Sequence, residues 1–235
     1  MEPLKTFDDV ATRILERKPG GTSVVIGILI ADWRQTEARE YILNYMNMFD
    51  EESGKFIDFF IPGYFTNSDR DGISLTKRYH PLSSDVPQGF SRMEKAFTIE
   101  REGIDYYFHG SLFEDTVEAI EDKLKIEYTF NPMLILVEVW NNLLCNEIKY
   151  GEHLVIELDE DSNRGLRRSG QLFKAIFEIA KKRTGLYNVA EGVRIYYLKK
   201  GDLKKLIKEL LDKKYIDFID DGSSFVKRFR IRKAV

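Results

Sequence analysis

Thr22-Ser-Val-Val-Ile-Gly-Ile-Leu-Ile-Ala-Asp-Trp-Arg-Gln-Thr-Glu37 decides the fold class. Val24 to Ala31 is apolar without alternation, as expected of a strand buried on both faces, and the polar residues after it start a helix. A buried strand feeding a helix is the repeating element of an α/β domain. Its functional end lies beyond the carboxyl end of the strand, here just after Ala31. No thiol, glycine-rich phosphate loop or acid–base pair stands there.

Outward from this stretch the pattern continues on both sides. Before it, Phe7, Val10, Ala11, Ile14 and Leu15 recur at helical spacing over about Thr6–Arg17, and Pro19-Gly20-Gly21 ends the helix. After it, Ala38, Tyr41, Ile42, Tyr45 and Phe49 predict a helix over about Gln35–Phe49, an exit turn at Asp50–Gly54 and a second strand over Lys55–Ile61. A β-α-β unit of this kind crosses over to the right, with its strands parallel. From Tyr64 to Arg92 no periodicity survives, and a long irregular segment inside a domain is usually functional or mobile.

Phe97 and Ile99, then Ile104, Tyr106 and Phe108, alternate around Glu102-Gly103 and predict a hairpin. Ser111 and Glu114 have the spacing of a capping box for a helix running to about Lys125. Asn131-Pro132 precedes a buried strand over Met133–Trp140, and Leu154–Leu158 reads as its antiparallel neighbour. Arg168–Arg183 reads as a helix with Leu172, Phe173, Ile176, Phe177 and Ala180 inward. At the end of the chain, Val193–Leu198 is a strand, Asp202–Lys213 a helix, and Tyr215–Ile219 and Phe225–Arg232 flank the turn Asp220-Asp-Gly222.

The 235 residues carry a net charge of −3, unevenly spread: Lys199–Val235 holds about +6 and the remainder about −9. The first residues lack a basic and apolar leader pattern, which predicts no export signal. The longest apolar run, Val24–Ala31, is too short for a transmembrane helix of roughly 20 residues. Cys145 is the single cysteine, which excludes an intrachain disulfide and a cysteine-rich metal site. Together these point to a cytoplasmic protein with no membrane partner.

The order helix, β-α-β, excursion, helix, β-β, helix, together with two short motifs, resembles the thioredoxin-like fold. Ala31-Asp-Trp33-Arg34-Gln-Thr-Glu37 is similar to that family's Ala-x-Trp-Cys-x-x-Cys, with Arg34 and Glu37 where the cysteines would stand. Asn131-Pro132-Met133-Leu134 resembles the family's loop in which a cis-proline precedes the next strand. The resemblance covers about 22–183. It implies an α/β domain over 1–190, with a mixed sheet, flanking helices and a long insertion at 63–110 after the second strand. Residues 191–235 would then form a basic β-α-β-β appendage. Thiol–disulfide exchange needs a thiolate, which neither Arg34 nor Glu37 supplies, so the resemblance implies a redox-inactive member.

Each candidate residue has a plain reading beside a functional one. Arg34 and Glu37 form either an i, i+3 surface pair or an anion site assisted by the helix start. Asp32 reads as an N-cap, and Trp33 either stacks on a ligand or shields the turn. In the Tyr64–His80 loop, Arg70, Lys77, Arg78 and His80 suit phosphate, and Tyr64 and Tyr79 suit a stacked base; a solvated loop is the plain alternative. Pro132 would border this surface. His80, His109 and His153 show no metal-ligand spacing, and Asp159–Gly165 lacks the glycine and glutamate of a calcium loop. No metal or cofactor is expected. Lys227, Arg228, Arg230 and Arg232 lie on the last strand and point to nucleic acid or a partner protein, or else pair with acidic neighbours. The leading expectation is a binding or sensing module for a phosphate-bearing small molecule or a partner protein, with no catalytic residue identified. An enzyme acting on a nucleotide or phosphate ester, using Asp69, Asp71 and His80, is the first alternative, and a nucleic-acid-binding protein is the second. Self-association into a homo-oligomer is left open.

Overall fold

The computed structural model describes residues 2–4, 6–17, 23–52, 57–66, 94–99, 103–142, 147–158, 165–183, 185–188, 194–197, 202–212 and 226–232. In chain order the elements are β1 Glu2–Leu4, α1 Asp8–Arg17, β2 Ser23–Ile30, α2 Thr36–Glu52, β3 Asp58–Pro62 and β4 Tyr64–Thr66. The hairpin β5 Glu94–Ile99 and β6 Ile104–Phe108 follows, then α3 Gly110–Leu124, β7 Met133–Asn142 and β8 Glu147–Leu158. The chain continues through α4 Gly165–Arg183, β9 Gly185–Asn188, β10 Arg194–Tyr197, α5 Asp202–Asp212 and β11 Val226–Arg232.

The central sheet is mixed, in the order β1-β3-β2-β7-β8-β11. β2 and β3 are parallel, with Gly27 opposite Phe59, as a β-α-β unit requires. β1 joins β3 in parallel, while β7 pairs antiparallel with β2, β8 with β7 and β11 with β8. Val24 to Ile30 are all buried, which is why this strand shows no alternation. On one face, Phe49 of α2 meets Phe59 at 4.8 Å and Phe173 of α4 at 4.9 Å, and Phe177 meets Phe59 at 5.2 Å. Gly27 lies beneath the Phe59 ring, where a Cβ would come within 2.2 Å of it. On the other face, Phe7, just before α1, stacks on Tyr150 of β8 at 5.0 Å, and Lys123 of α3 lies over the same ring.

Several boundaries move for physical reasons. Tyr64–Thr66 is not part of an irregular insertion but a short strand paired with β6, and β4-β6-β5 make a separate three-stranded sheet. Gly63, at φ +75°, makes the corner between the two sheets: its N–H donates to the Leu4 carbonyl and its carbonyl accepts from the His109 N–H, both at 3.0 Å. The predicted capping box is corrected as well. β6 ends at Phe108, so the helix begins one residue before Ser111, and His109 is its cap, with Nδ1 accepting from the Leu112 N–H at 3.3 Å. β8 is longer than predicted because its first half pairs with Val139–Asn142 beyond a bulge. β9 and β10 form an antiparallel ribbon, whereas β11 extends the central sheet beside β8. That register sets Arg228 opposite Glu157, Arg230 opposite Val155 and Arg232 opposite His153. The strand predicted over Tyr215–Ile219 lies outside the described residues. Among those described, no helix is long and apolar enough to cross a membrane.

Candidate functional site

The carboxyl end of β2 opens into a turn built around Asp32. Its carboxylate is buried, and Oδ1 accepts from the backbone N–H of Arg34 at 3.0 Å, while its carbonyl accepts from the Gln35 N–H at 2.9 Å. This is an Asx turn leading into α2 rather than a cap on the helix itself. The Arg34 guanidinium folds back on the same carboxylate, Nε donating to Oδ1 at 2.9 Å and Oδ2 at 3.1 Å, and Nη2 to Oδ2 at 2.7 Å. Nη1 reaches across to Glu114 in the first turns of α3, at 2.7 Å, and the guanidinium carbon sits 5.9 Å from the Phe108 ring centroid.

Arg34 therefore bridges two carboxylates from elements eighty positions apart, and it does not pair with Glu37, as its i, i+3 spacing had suggested. Glu37 is exposed in the first turn of α2. Gly110 makes room for the bridge, since a Cβ there would stand 2.9 Å from Nη1. The hydrogen bonds that the guanidinium donates to Asp32 are the main influence holding it above its ordinary basicity; burial opposes this and Glu114 adds to it. With two carboxylates on one guanidinium, the local charge is negative, which removes Arg34 as the centre of an anion site.

Two further candidates prove to be core. Trp33 is buried, with the Arg39 guanidinium 5.4 Å from its ring, the Arg39 Nε donating to its carbonyl, and Phe97 at 6.0 Å. It shields the turn and has no open face for stacking a ligand. Tyr64 is fully buried, its ring against Phe97 and Phe108 and its hydroxyl donating to the Ala31 carbonyl at 2.9 Å. The cause is its place on β4, where pairing with Phe108 turns the side chain inward. Burial pushes its phenol well above the ordinary value, and the nearby Asp32 carboxylate adds to this. Arg70, Lys77, Arg78, Tyr79, His80 and Cys145 lie outside the described residues, as do the side chains of Lys227, Arg228, Arg230 and Arg232.

Pro132 lies one step past the Ile30–Met133 pair, beside Ala31. It is buried, its carbonyl accepts from the Leu158 N–H at 2.8 Å, and the Asn131–Pro132 peptide is trans. The chain is instead redirected at Phe130, whose φ of +66° is a conformation that aromatic residues rarely adopt. Phe130 is 71% exposed, resting on Tyr128 at 5.5 Å, and Tyr128 packs on Phe113 at 6.0 Å. The Tyr128 phenol is raised above its ordinary value, mainly by burial and then by the Asp32 carboxylate. Neither Phe130 nor Glu114 stood out in the sequence: the first lacked any pattern, and the second was assigned to the capping box.

No protein-family model matches this chain, and comparison with curated proteins and with solved structures returns no match.

The geometry thus rests on this chain alone. Among the described residues, no group of three or more His, Cys, Asp or Glu side chains is set to hold a metal ion. What the turn offers is a surface: a half-exposed arginine held by two acids, an outward phenylalanine on a strained backbone, and a buried aromatic floor beneath.

Proposed function

We propose that this chain is a redox-inactive, thioredoxin-like binding module that recognises a partner protein through Arg34, Glu114 and Phe130. The carrying observation is the ion-paired Arg34 where a thioredoxin would place its first cysteine. The mixed sheet supports the thioredoxin-like part of the reading: parallel β1, β3 and β2 flanked by antiparallel β7 and β8, with α2 and α4 on one face. Pro132 lies beside Ala31, as the resemblance implies, but its trans peptide departs from the family's cis-proline.

A protein partner is favoured over a phosphate-bearing ligand because an incoming phosphate would meet two carboxylates against one guanidinium. Phe130, exposed and backed by Tyr128, has the character of an aromatic anchor that a partner's pocket would bury. A photo-crosslinking amino acid at position 130 tests the reading, with one at Leu43, 59% exposed on α2, as the control. A discrete adduct formed only from position 130, and lost on Glu114→Ala or Arg34→Ala, is expected. The same adducts from both positions would refute it.

A further inference from the structure

The link from α3 to β7 is held in a form that carries two separate costs. Phe130 has φ +66°, a left-handed conformation in which the side chain crowds the following carbonyl, and its ring is 71% exposed. Beside it, the hydroxyl oxygens of Tyr128 and Thr129 are shut off from solvent and meet no hydrogen-bond partner among the described residues. Strained residues persist where their surroundings fix them, and both ends of this link are fixed. The Tyr128 N–H donates to the Glu121 carboxylate of α3. At the other end, the Asn131 amide donates to Glu157 Oε1 on β8, and the Pro132 carbonyl accepts from the Leu158 N–H at 2.8 Å. Asn131 precedes a proline, which favours extended backbone there, so a change of path falls on Thr129 and Phe130.

We propose that Tyr128–Phe130 is a two-state element that presents or withdraws the Phe130 ring, with the Asn131–Glu157 hydrogen bond as its latch. In the outward form the latch is closed, and Tyr128 packs on both Phe113 and Phe130, at 6.0 and 5.5 Å. In the second form Phe130 takes an ordinary negative φ, the ring leaves its outward position, and the same rotation opens the two hydroxyls to water. Each form keeps something the other gives up: the first holds the latch and the ring contacts, the second relieves the backbone and pairs the hydroxyls. A balance of that kind makes an element bistable rather than merely strained. What the ring is presented to rests on the partner reading above. A partner that buries Phe130 draws the balance to the outward form, and its apparent affinity falls with the fraction withdrawn.

Two measurements on the chain by itself test the element, so they succeed or fail independently of that reading. Thermal melts of Phe130→Gly and Phe130→Ala read the backbone. Glycine ordinarily lowers stability relative to alanine, but at a left-handed position it should melt about 2–4 °C above the alanine variant. Amide relaxation dispersion reads the second form: millisecond exchange is expected at Thr129, Phe130 and Asn131, and it should grow in Asn131→Ala as the latch is lost. Asn131→Ser repeats the latch measurement should the alanine variant fold poorly. An alanine variant at position 130 melting at or above the glycine variant, flat dispersion at these amides, or exchange unchanged by loss of the latch would overturn the proposal.

Discussion

Replacing Arg34 by alanine separates the two arms of the bridge in energy. Asp32 is the buried partner, its side chain 7% exposed, whereas Arg34 is 46% and Glu114 60% exposed. Arg34→Ala removes three guanidinium contacts of 2.7–3.1 Å from a carboxylate that water reaches poorly. A hydrogen bond to a charged group contributes about 1.5–3 kcal/mol, and discounting for the half-exposed arginine leaves a cost of about 1–2 kcal/mol. For a chain of this size that is a fall in Tm of about 2–8 °C. Asp32→Asn keeps an acceptor for the Arg34 N–H and frees an arginine that water solvates, so it should cost less, about 0.5–1 kcal/mol. Glu114→Ala should cost about 0–0.5 kcal/mol, as exposed pairs do. The double variant Asp32→Asn/Arg34→Ala should be little worse than Arg34→Ala alone, because the stranded charge is gone. Urea unfolding followed through the buried Trp33 measures all four. Additivity in the double variant, or Glu114→Ala as damaging as Arg34→Ala, would refute the reasoning.

Two other outcomes follow from the packing. The phenols of Tyr64, Tyr128 and Tyr150 are all raised above their ordinary value near 10, chiefly by burial. Above that pH the unfolded chain has lost protons that the folded chain keeps, so stability falls as pH rises, by up to about 1.4 kcal/mol per pH unit for each phenol. Urea unfolding at pH 8 and 11 with tyrosinate absorbance alongside checks this, and a flat profile would count against the burial. Gly63→Ala and Gly103→Ala both place a side chain at positive φ, but only at Gly63 does the new Cβ meet an atom, Phe113 Cβ at 2.5 Å. Thermal melts should therefore show a cost of about 1–2 kcal/mol at Gly103 and distinctly more at Gly63; equal losses would mean that the corner between the sheets is not tightly packed.

Elements whose own composition carried their environment were legible in the sequence. Val24–Ala31 read as a doubly buried strand, the β-α-β unit implied parallel pairing, and the alternation around Gly103 implied a hairpin; all three are present. What escaped was set by distant partners. Ser111 and Glu114 satisfy a local capping pattern, but the helix start is fixed by where β6 ends, and Glu114 is drawn to an arginine eighty positions away. Tyr64 looked available in a polar segment because three residues are too few to reveal a strand, yet pairing with β6 buries it. The last strand was legible as a strand, but not that its neighbour would be β8. Phe130 is outward on a left-handed backbone, a conformation no periodicity records.

The most direct test of the binding surface is the affinity of the partner captured from position 130 for the purified chain and its Phe130→Ala variant. An anchor residue contributes about 2 kcal/mol or more, so Phe130→Ala should bind roughly thirtyfold more weakly with an unchanged melting temperature. Equal affinity for the two proteins would contradict it.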